Sequence, residues 1–332
     1  MADVARLAGV SSQTVSRVSN GHPSVVDRTR EQVLDAMTQL GYRPNGAARA
    51  LKYGEFRTLG VVLLELSTVG SSRTVEAIVE HAAKHGYATT LSMVSAPSGA
   101  DVAGAFTRAG ELAIDAAIVV MEAQQLGATT LVLPAGIPVV SVFSDNHDRD
   151  SIVDTDQAHG VKAAVRHLLD LGHRTVHHVA GPADSYSAIK RAETWQATLR
   201  EAGARVPRSL PGDWSAESGF LAGVKLARTR SCTAVFAAND QMALGVLRAF
   251  HEQGKAVPRD VSVIGFDNVP DSGAYIPPLT TVHHDFGEVG RRCVERALKL
   301  IEHRTADPER SLVPTHLVVR ESTAPPPGRR SS

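Results

Sequence analysis

The chain has 332 residues, 43% of them apolar, with 35 basic and 35 acidic side chains in balance. That length exceeds one small domain and the apolar content is ample for buried sheets, while zero net charge excludes a protein that merely coats nucleic acid. Two distant cysteines, Cys232 and Cys293, give neither a disulfide framework nor a metal pair, and no stretch approaches the roughly 18 apolar residues of a membrane span, so the expected compartment is a reducing cytoplasm with no membrane partner.

The balance is uneven along the chain: residues 1–57 hold eight Lys/Arg against five Asp/Glu. Residues 3–20 contain two short helical patterns broken at Gly9. Val4, Leu7 and Ala8 form one apolar face and Val10, Val15 and Val18 the other, so the two helices are expected to pack across a tight turn. Ser11 is placed to cap the second helix. Ser12, Gln13 and Arg17 are left pointing outward, and these side-chain types suit base edges and phosphates in a major groove. A third helical pattern runs from Asp27 to Leu40, with Val33, Ala36, Met37 and Leu40 on one face, and Gly41 ends it. Pro44 then opens a short, basic, small-residue helix that has almost nothing apolar to bury. A helix of that length is unstable alone in water, so it is expected to fold only on DNA and against a second copy of itself.

From Thr58 onward strands and helices alternate. Apolar runs at 59–66, 89–94, 116–121 and 139–143 are spaced by an amphipathic stretch over 72–85 and predict strands of a parallel sheet covered on both faces. A second series follows, with strands at 151–154, 175–180, 234–238 and 261–266 and helices at 158–171, 189–202 and 240–253. Leu312 to Arg320 reads as a final strand, and the chain beyond Ala324 as a polar disordered tail. The fold class is α/β with two doubly wound sheets, whose ligands bind beyond the carboxyl ends of the strands.

The head carries Asp3-Val4-Ala5, Ala8-Gly9-Val10-Ser11, Thr14-Val15-Ser16-Arg17-Val18 and Asn20, then Tyr42, Pro44 and Asn45. The core adds Asp213-Trp214-Ser215-Ala216, Ala238-Asn239-Asp240-Gln241-Met242 and Tyr275-Ile276-Pro277-Pro278. In these motifs the chain resembles the lac-repressor (LacI/GalR) family of bacterial transcription regulators. The resemblance implies a helix-turn-helix DNA-binding head over 1–44 and a hinge helix and linker over 45–57. It implies a periplasmic-binding-protein-like effector and dimerisation core over 58–323, with one subdomain over about 58–154 and 286–313 and the other over about 155–282 and 314–323; the tail is 324–332. By the same resemblance Ser12, Gln13 and Arg17 lie at base-reading positions of the second helix, with Thr14, Ser16 and Asn20 near phosphates, and the capping Ser11 belongs to the same DNA-binding set. Asn45, Ala48 and Leu51 belong to the hinge, where Leu51 wedges into the minor groove. The family's Thr and apolar residue ahead of Asp3 are absent, so either the native start lies upstream or the first helix gives up a cap worth roughly 1 kcal/mol.

A sugar pocket needs charged or amide groups that bind adjacent hydroxyls and an aromatic plane for the ring. Asn239 and Asp267 each follow a strand. Arg191 matches the family's ligand arginine, and Trp214 and Phe286 its aromatic positions. Where the lac-repressor type has an acidic sugar contact this chain has Val142, which leaves open a galactoside or another glycoside held by Asp145 or Ser141. The expected protein is a homodimeric repressor on double-stranded operator DNA, released by a small saccharide. A purine or other small molecule is the alternative effector, and a sugar-binding protein or a glycoside-cleaving enzyme the alternative class. Residues 322–332 carry no leucine, so a dimer rather than a tetramer is expected. No cofactor, metal or catalytic set is expected: Asp285-Phe286-Gly287 copies a kinase tripeptide without its companions, and adjacent histidines at 177–178 and 283–284 point to opposite faces of a strand.

Overall fold

The structure, a computed structural model, describes residues 1–19, 22–42, 54–64, 66–94, 113–120, 136–142, 151–303 and 309–328. The chain divides into two compact units, Met1–Phe56 and Arg57–Ser332.

Among its described residues the first unit holds three helices: α1 (Ala2–Ala8), α2 (Ser12–Ser19) and α3 (Asp27–Gln39). Gly9 ends α1 in the left-handed conformation, φ 65°, which costs a glycine little, and Ser11 Oγ accepts the Thr14 N–H at 3.1 Å to open α2. Val4, Ala5, Val15, Val18, Val33, Ala36 and Met37 make one buried cluster. The expected placement of two leucines on the apolar faces is corrected. Leu7 and Leu40 are about half exposed, because in helices this short the buried stripe is narrow and each falls outside it. No side chain caps α1 at Met1.

The second unit contains two sheets. The first is wholly parallel, in the order β10-β5-β4-β3-β1-β2, from β1 (Thr58–Leu63), β2 (Ala88–Met93), β3 (Ala116–Val120), β4 (Val139–Val142), β5 (Ser151–Thr155) and β10 (Arg310–Val313). Helices α4 (Val69–Lys84) and α9 (Phe286–Glu302) pack together on it. The interior strands are buried on both faces, which is why they read as unbroken apolar runs.

The second sheet is ordered β11-β9-β8-β7-β6, from β6 (His177–Val179), β7 (Ala234–Ala237), β8 (Ser262–Asp267), β9 (Thr280–His283) and β11 (His316–Val318). Four helices belong to it: α5 (Gln157–Asp170), α6 (Tyr186–Glu201), α7 (Ala216–Ala227) and α8 (Asp240–Glu252). The single strand expected over 312–320 is instead two. Pro314 interrupts it, β10 closes the first sheet, and β11 lies antiparallel to β9 in the second. The tail is also corrected: Ala324 donates its N–H to Ser262 Oγ at 3.0 Å, and its carbonyl accepts from His173 Nε2 at 3.0 Å, so residues 324–328 are ordered along the second sheet.

Three crossings join the sheets, after β5, after β9 and after β10, and they are tied to one another. Thr155 Oγ1 and His284 Nε2 are 2.6 Å apart, Asp156 N–H donates to the Val313 carbonyl at 2.9 Å, and Thr315 Oγ1 donates to the Asp156 carbonyl at 2.9 Å. Among the described residues no helix is long and apolar enough to cross a membrane.

Candidate functional site

On the head, Ser11, Ser12, Gln13 and Arg17 are exposed on one side of α2, while Val15 and Val18 are buried on the other. Thr14 and Ser16 flank that exposed side and are half-buried. Thr14 Oγ1 lies 3.0 Å from Ser11 Oγ, so the capping pair fixes the start of the helix that presents Ser12 and Gln13. Asn20, Asn45, Ala48 and Leu51 lie outside the described residues, as does Asp145.

In the second unit a cavity of about 360 Å3 lies between the two sheets, at the carboxyl ends of their strands. All five effector residues expected from the sequence line it: Arg191, Trp214, Asn239, Asp267 and Phe286. Arg191 stands in the second turn of α6 and is 4% exposed. Its Nε donates to Gln157 Oε1 at 2.8 Å, Nη1 to the Ala238 carbonyl, and Nη2 reaches Asp267 Oδ1 at 3.5 Å, with the guanidinium 3.7 Å from the centre of the Phe266 ring. Such bonding fixes the fork before any ligand arrives.

Trp214, Asp267 and Asn268 hold positive φ values of 72°, 111° and 54°. For residues with a side chain this is strained backbone, the kind retained where surrounding contacts over-determine it. At Trp214 those contacts are visible. Asn239 Nδ2 donates to the Trp214 carbonyl at 3.0 Å, and the indole lies against Gly181, where a Cβ would come within 2.5 Å of the ring. Asn239 also caps α8, its Oδ1 accepting the Met242 N–H at 2.9 Å. Asn239 therefore serves the shape of the pocket wall as well as facing the cavity.

Across the cavity the Phe286 ring sits 3.8 Å from the His284 ring and abuts Gly70 in the first turn of α4. Burial, opposed by Asp267, holds His284 below the ordinary imidazole range, so it is neutral at physiological pH. Asp240 sits behind the wall, fully buried. Burial, and secondly the Asp267 carboxylate, push it up to about 8.

Sequence reasoning missed part of the lining. Ser67, Thr68, Val69, Gly70 and Ser71 form the α4 N-terminus, with Thr68 Oγ1 accepting the Ser71 N–H at 3.3 Å; Ser187, Gln241 and His284 also line the cavity. The signal was available, since 64–71 directly follows β1 and strand ends are where such sheets bind. Ser141, considered as a sugar contact, is buried in β4 and is not part of the lining; Val142 is likewise buried there.

Comparison with known proteins gives a match at both ends of the chain. Residues 1–45 match the model of bacterial regulatory proteins of the lacI family, and residues 165–323 that of the periplasmic binding protein-like domain. The lactose operon repressor of Escherichia coli strain K12 is 36% identical over 338 residues, spanning 98% of this chain and 90% of that protein. The HTH-type transcriptional repressor PurR of Mannheimia succiniciproducens is 31% identical, spanning 96% and 97%. Among solved structures, the lac repressor dimer bound to operator and the anti-inducer ONPF superposes with a TM-score of 0.87 at 34% identity, covering 97% of this chain and 98% of that one. The complex of the transcriptional regulator CelR with cellobiose gives 0.72 at 29% identity, covering 96% and 98%.

Proposed function

Because this chain belongs to the lacI family of bacterial regulatory proteins, we propose that its repressor activity is controlled by a small saccharide held in the cavity between its two sheets. The chain is a DNA-binding transcriptional repressor of that family, and its relatives are regulators rather than enzymes. The reading beyond that rests on one observation. A buried, pre-fixed arginine and a carboxylate face the same cavity as two aromatic planes, Trp214 and Phe286, and that combination binds vicinal hydroxyls on one side and the apolar face of a sugar ring on the other.

Two copies of the chain straddle a near-palindromic operator. Ser12, Gln13 and Arg17 meet base edges in the major groove, Thr14, Ser16 and Asn20 meet phosphates, and the hinge residues Asn45, Ala48 and Leu51 enter the minor groove. A glycoside, galactoside included, changes the relation of the two sheets through the three tied crossings and lowers operator affinity. Lactose-type relatives and the cellobiose complex support the saccharide class, and the PurR relatives make a purine the competing ligand.

An operator selected from a randomised duplex pool supplies the test. Thermal melting is followed with saccharides and with purines, and fluorescence anisotropy reports release of the operator. A cavity ligand at 100 times its Kd adds about 2.7 kcal/mol. The expected result is a saccharide that both raises the melting temperature and releases the duplex, with both effects lost in Arg191→Ala. A response to purines alone overturns the saccharide reading.

A further inference from the structure

The second sheet carries another cavity, at the opposite ends of its strands. It measures about 550 Å3 and is bounded by segments that precede β6 and β7, Gly172–His177 and Ser231–Thr233, together with Arg205, Pro207 and the ordered tail at Pro326–Gly328. It shares no lining residue with the cavity between the sheets.

Its chemistry is one-sided. Arg174 and Arg205 line it, and neither makes an ion pair among the described residues. Among the described residues no carboxylate lines it. His177 is 9% exposed, and its Nε2 is buried without a hydrogen-bond partner. A buried nitrogen left unpaired is uncommon in a folded protein and calls for an explanation. Ser231 and Thr233 add hydroxyls. The fourth wall is the tail, fixed in place because Ala324 is bonded to Ser262 and His173, and His173 Nδ1 is itself 3.0 Å from Thr233 Oγ1.

We propose that this cavity binds a small anion bearing a phosphoryl group, with the Arg174 and Arg205 forks on its oxygens and His177 as a further hydrogen-bond partner. Guanidinium forks match phosphate oxygens in pairs, and they are the groups of choice where several oxygens must be held at once. The volume falls within the range of small-ligand sites and leaves room for a metabolite of sugar size beside the phosphoryl group. The site is independent of the saccharide cavity, so the regulator takes two chemically different ligands at opposite ends of one sheet.

Isothermal titration of the full chain at fixed ionic strength tests this, with glucose 6-phosphate and inorganic phosphate as probes and glucose as the uncharged control. Both arginines are exposed, so Arg174→Gln/Arg205→Gln leaves the packed core intact. Saturable binding of a phosphate-bearing probe is expected, weakened tenfold or more in that double variant and unchanged in Arg191→Ala. Absence of saturable binding to the unaltered chain, or equal affinity in the double variant, overturns the proposal. Loss of binding in Arg191→Ala also overturns it, by placing the anion in the other cavity, and that result leaves the saccharide reading to its own test.

Discussion

Asp240 touches no ligand in the sequence reading, yet it is the side chain most out of keeping with its surroundings. It opens α8, its Oδ2 accepts the Val269 N–H at 2.9 Å, and its Oδ1 accepts the Thr281 hydroxyl at 2.5 Å. Gly265 must be glycine for it to fit, since a Cβ there would lie 2.2 Å from Oδ1. With a pKa near 8 folded against an ordinary 3.8, the folded state holds a proton that the unfolded chain has released. A raised pKa contributes stability that is complete below the unfolded value and is lost as pH rises through the folded one. His178 acts in the opposite sense: burial between Phe236 and Trp195 lowers it to about 4, so its contribution is present above the unfolded 6.5 and lost as pH falls. His167, His173, His177, His283 and His284 are lowered likewise, and all six histidine contributions are still being completed just above pH 6.5. Asp240→Asn, whose amide oxygen still accepts from Val269, keeps them and removes only the Asp240 contribution. The unfolding free energy of the native chain in urea melts, relative to that of the variant, is therefore expected to fall between pH 6.5 and 8, by at most about 1.4 kcal/mol per pH unit. An equal slope in both proteins would show that Asp240 is already ionised in the fold.

Helices α7 and α8 lie so close that backbone meets backbone. A Cβ on Gly245 would stand 1.9 Å from the Ala216 carbonyl oxygen and 2.5 Å from the Phe220 nitrogen, and one on Gly219 would stand 2.1 Å from the Met242 carbonyl oxygen. No rotamer relieves a clash between main chains, so Gly245→Ala must separate the helices and loosen the cluster of Leu226, Val246 and Phe250 beneath them. Overpacking typically costs about 1–3 kcal/mol, and a backbone obstruction belongs at the top of that range. Gly254→Ala is the control: its Cβ meets nothing, and only a left-handed backbone penalty of roughly 1–2 kcal/mol remains. Denaturant melts of the two variants should rank in that order. The same helices show what a sequence discloses. α8 was legible as a helix over 240–253 from the alternation of strand and helix, and the strand-end positions of Asn239 and Asp267 followed from the same alternation. The α4 N-terminus at Ser67–Ser71 was not identified, because serine, threonine and glycine after a strand read equally well as a plain loop. β10 and β11 were fused because two short apolar segments carry too little periodicity to be told apart, although Pro314 marked the break. The order of 324–328 was hidden for a different reason: it comes from hydrogen bonds to Ser262 and His173, far away in the chain, which composition does not encode.

At the scale of the molecule, the two sheets share one cavity and are joined by three segments bonded to each other through Thr155, His284, Asp156 and Thr315. A ligand spanning Arg191 on one side and Phe286 on the other makes its full set of contacts at only one spacing of the sheets. It therefore favours one shape of the core by its differential affinity for the two, and by nothing else. If operator binding selects the other shape, the two ligands are linked by a single coupling free energy, commonly about 1–3 kcal/mol, and linkage requires it to act equally in both directions. The factor by which a releasing saccharide weakens the operator must equal the factor by which saturating operator weakens the saccharide. Titrating the saccharide into free chain and into the chain saturated with operator measures one factor, and anisotropy with and without saccharide measures the other. Equal factors of about 5 to 150 are expected. A weakening of the operator that keeps growing with saccharide concentration, with no plateau at such a factor, would mean that sugar and duplex compete for one site, and the two-shape account of the core would fail.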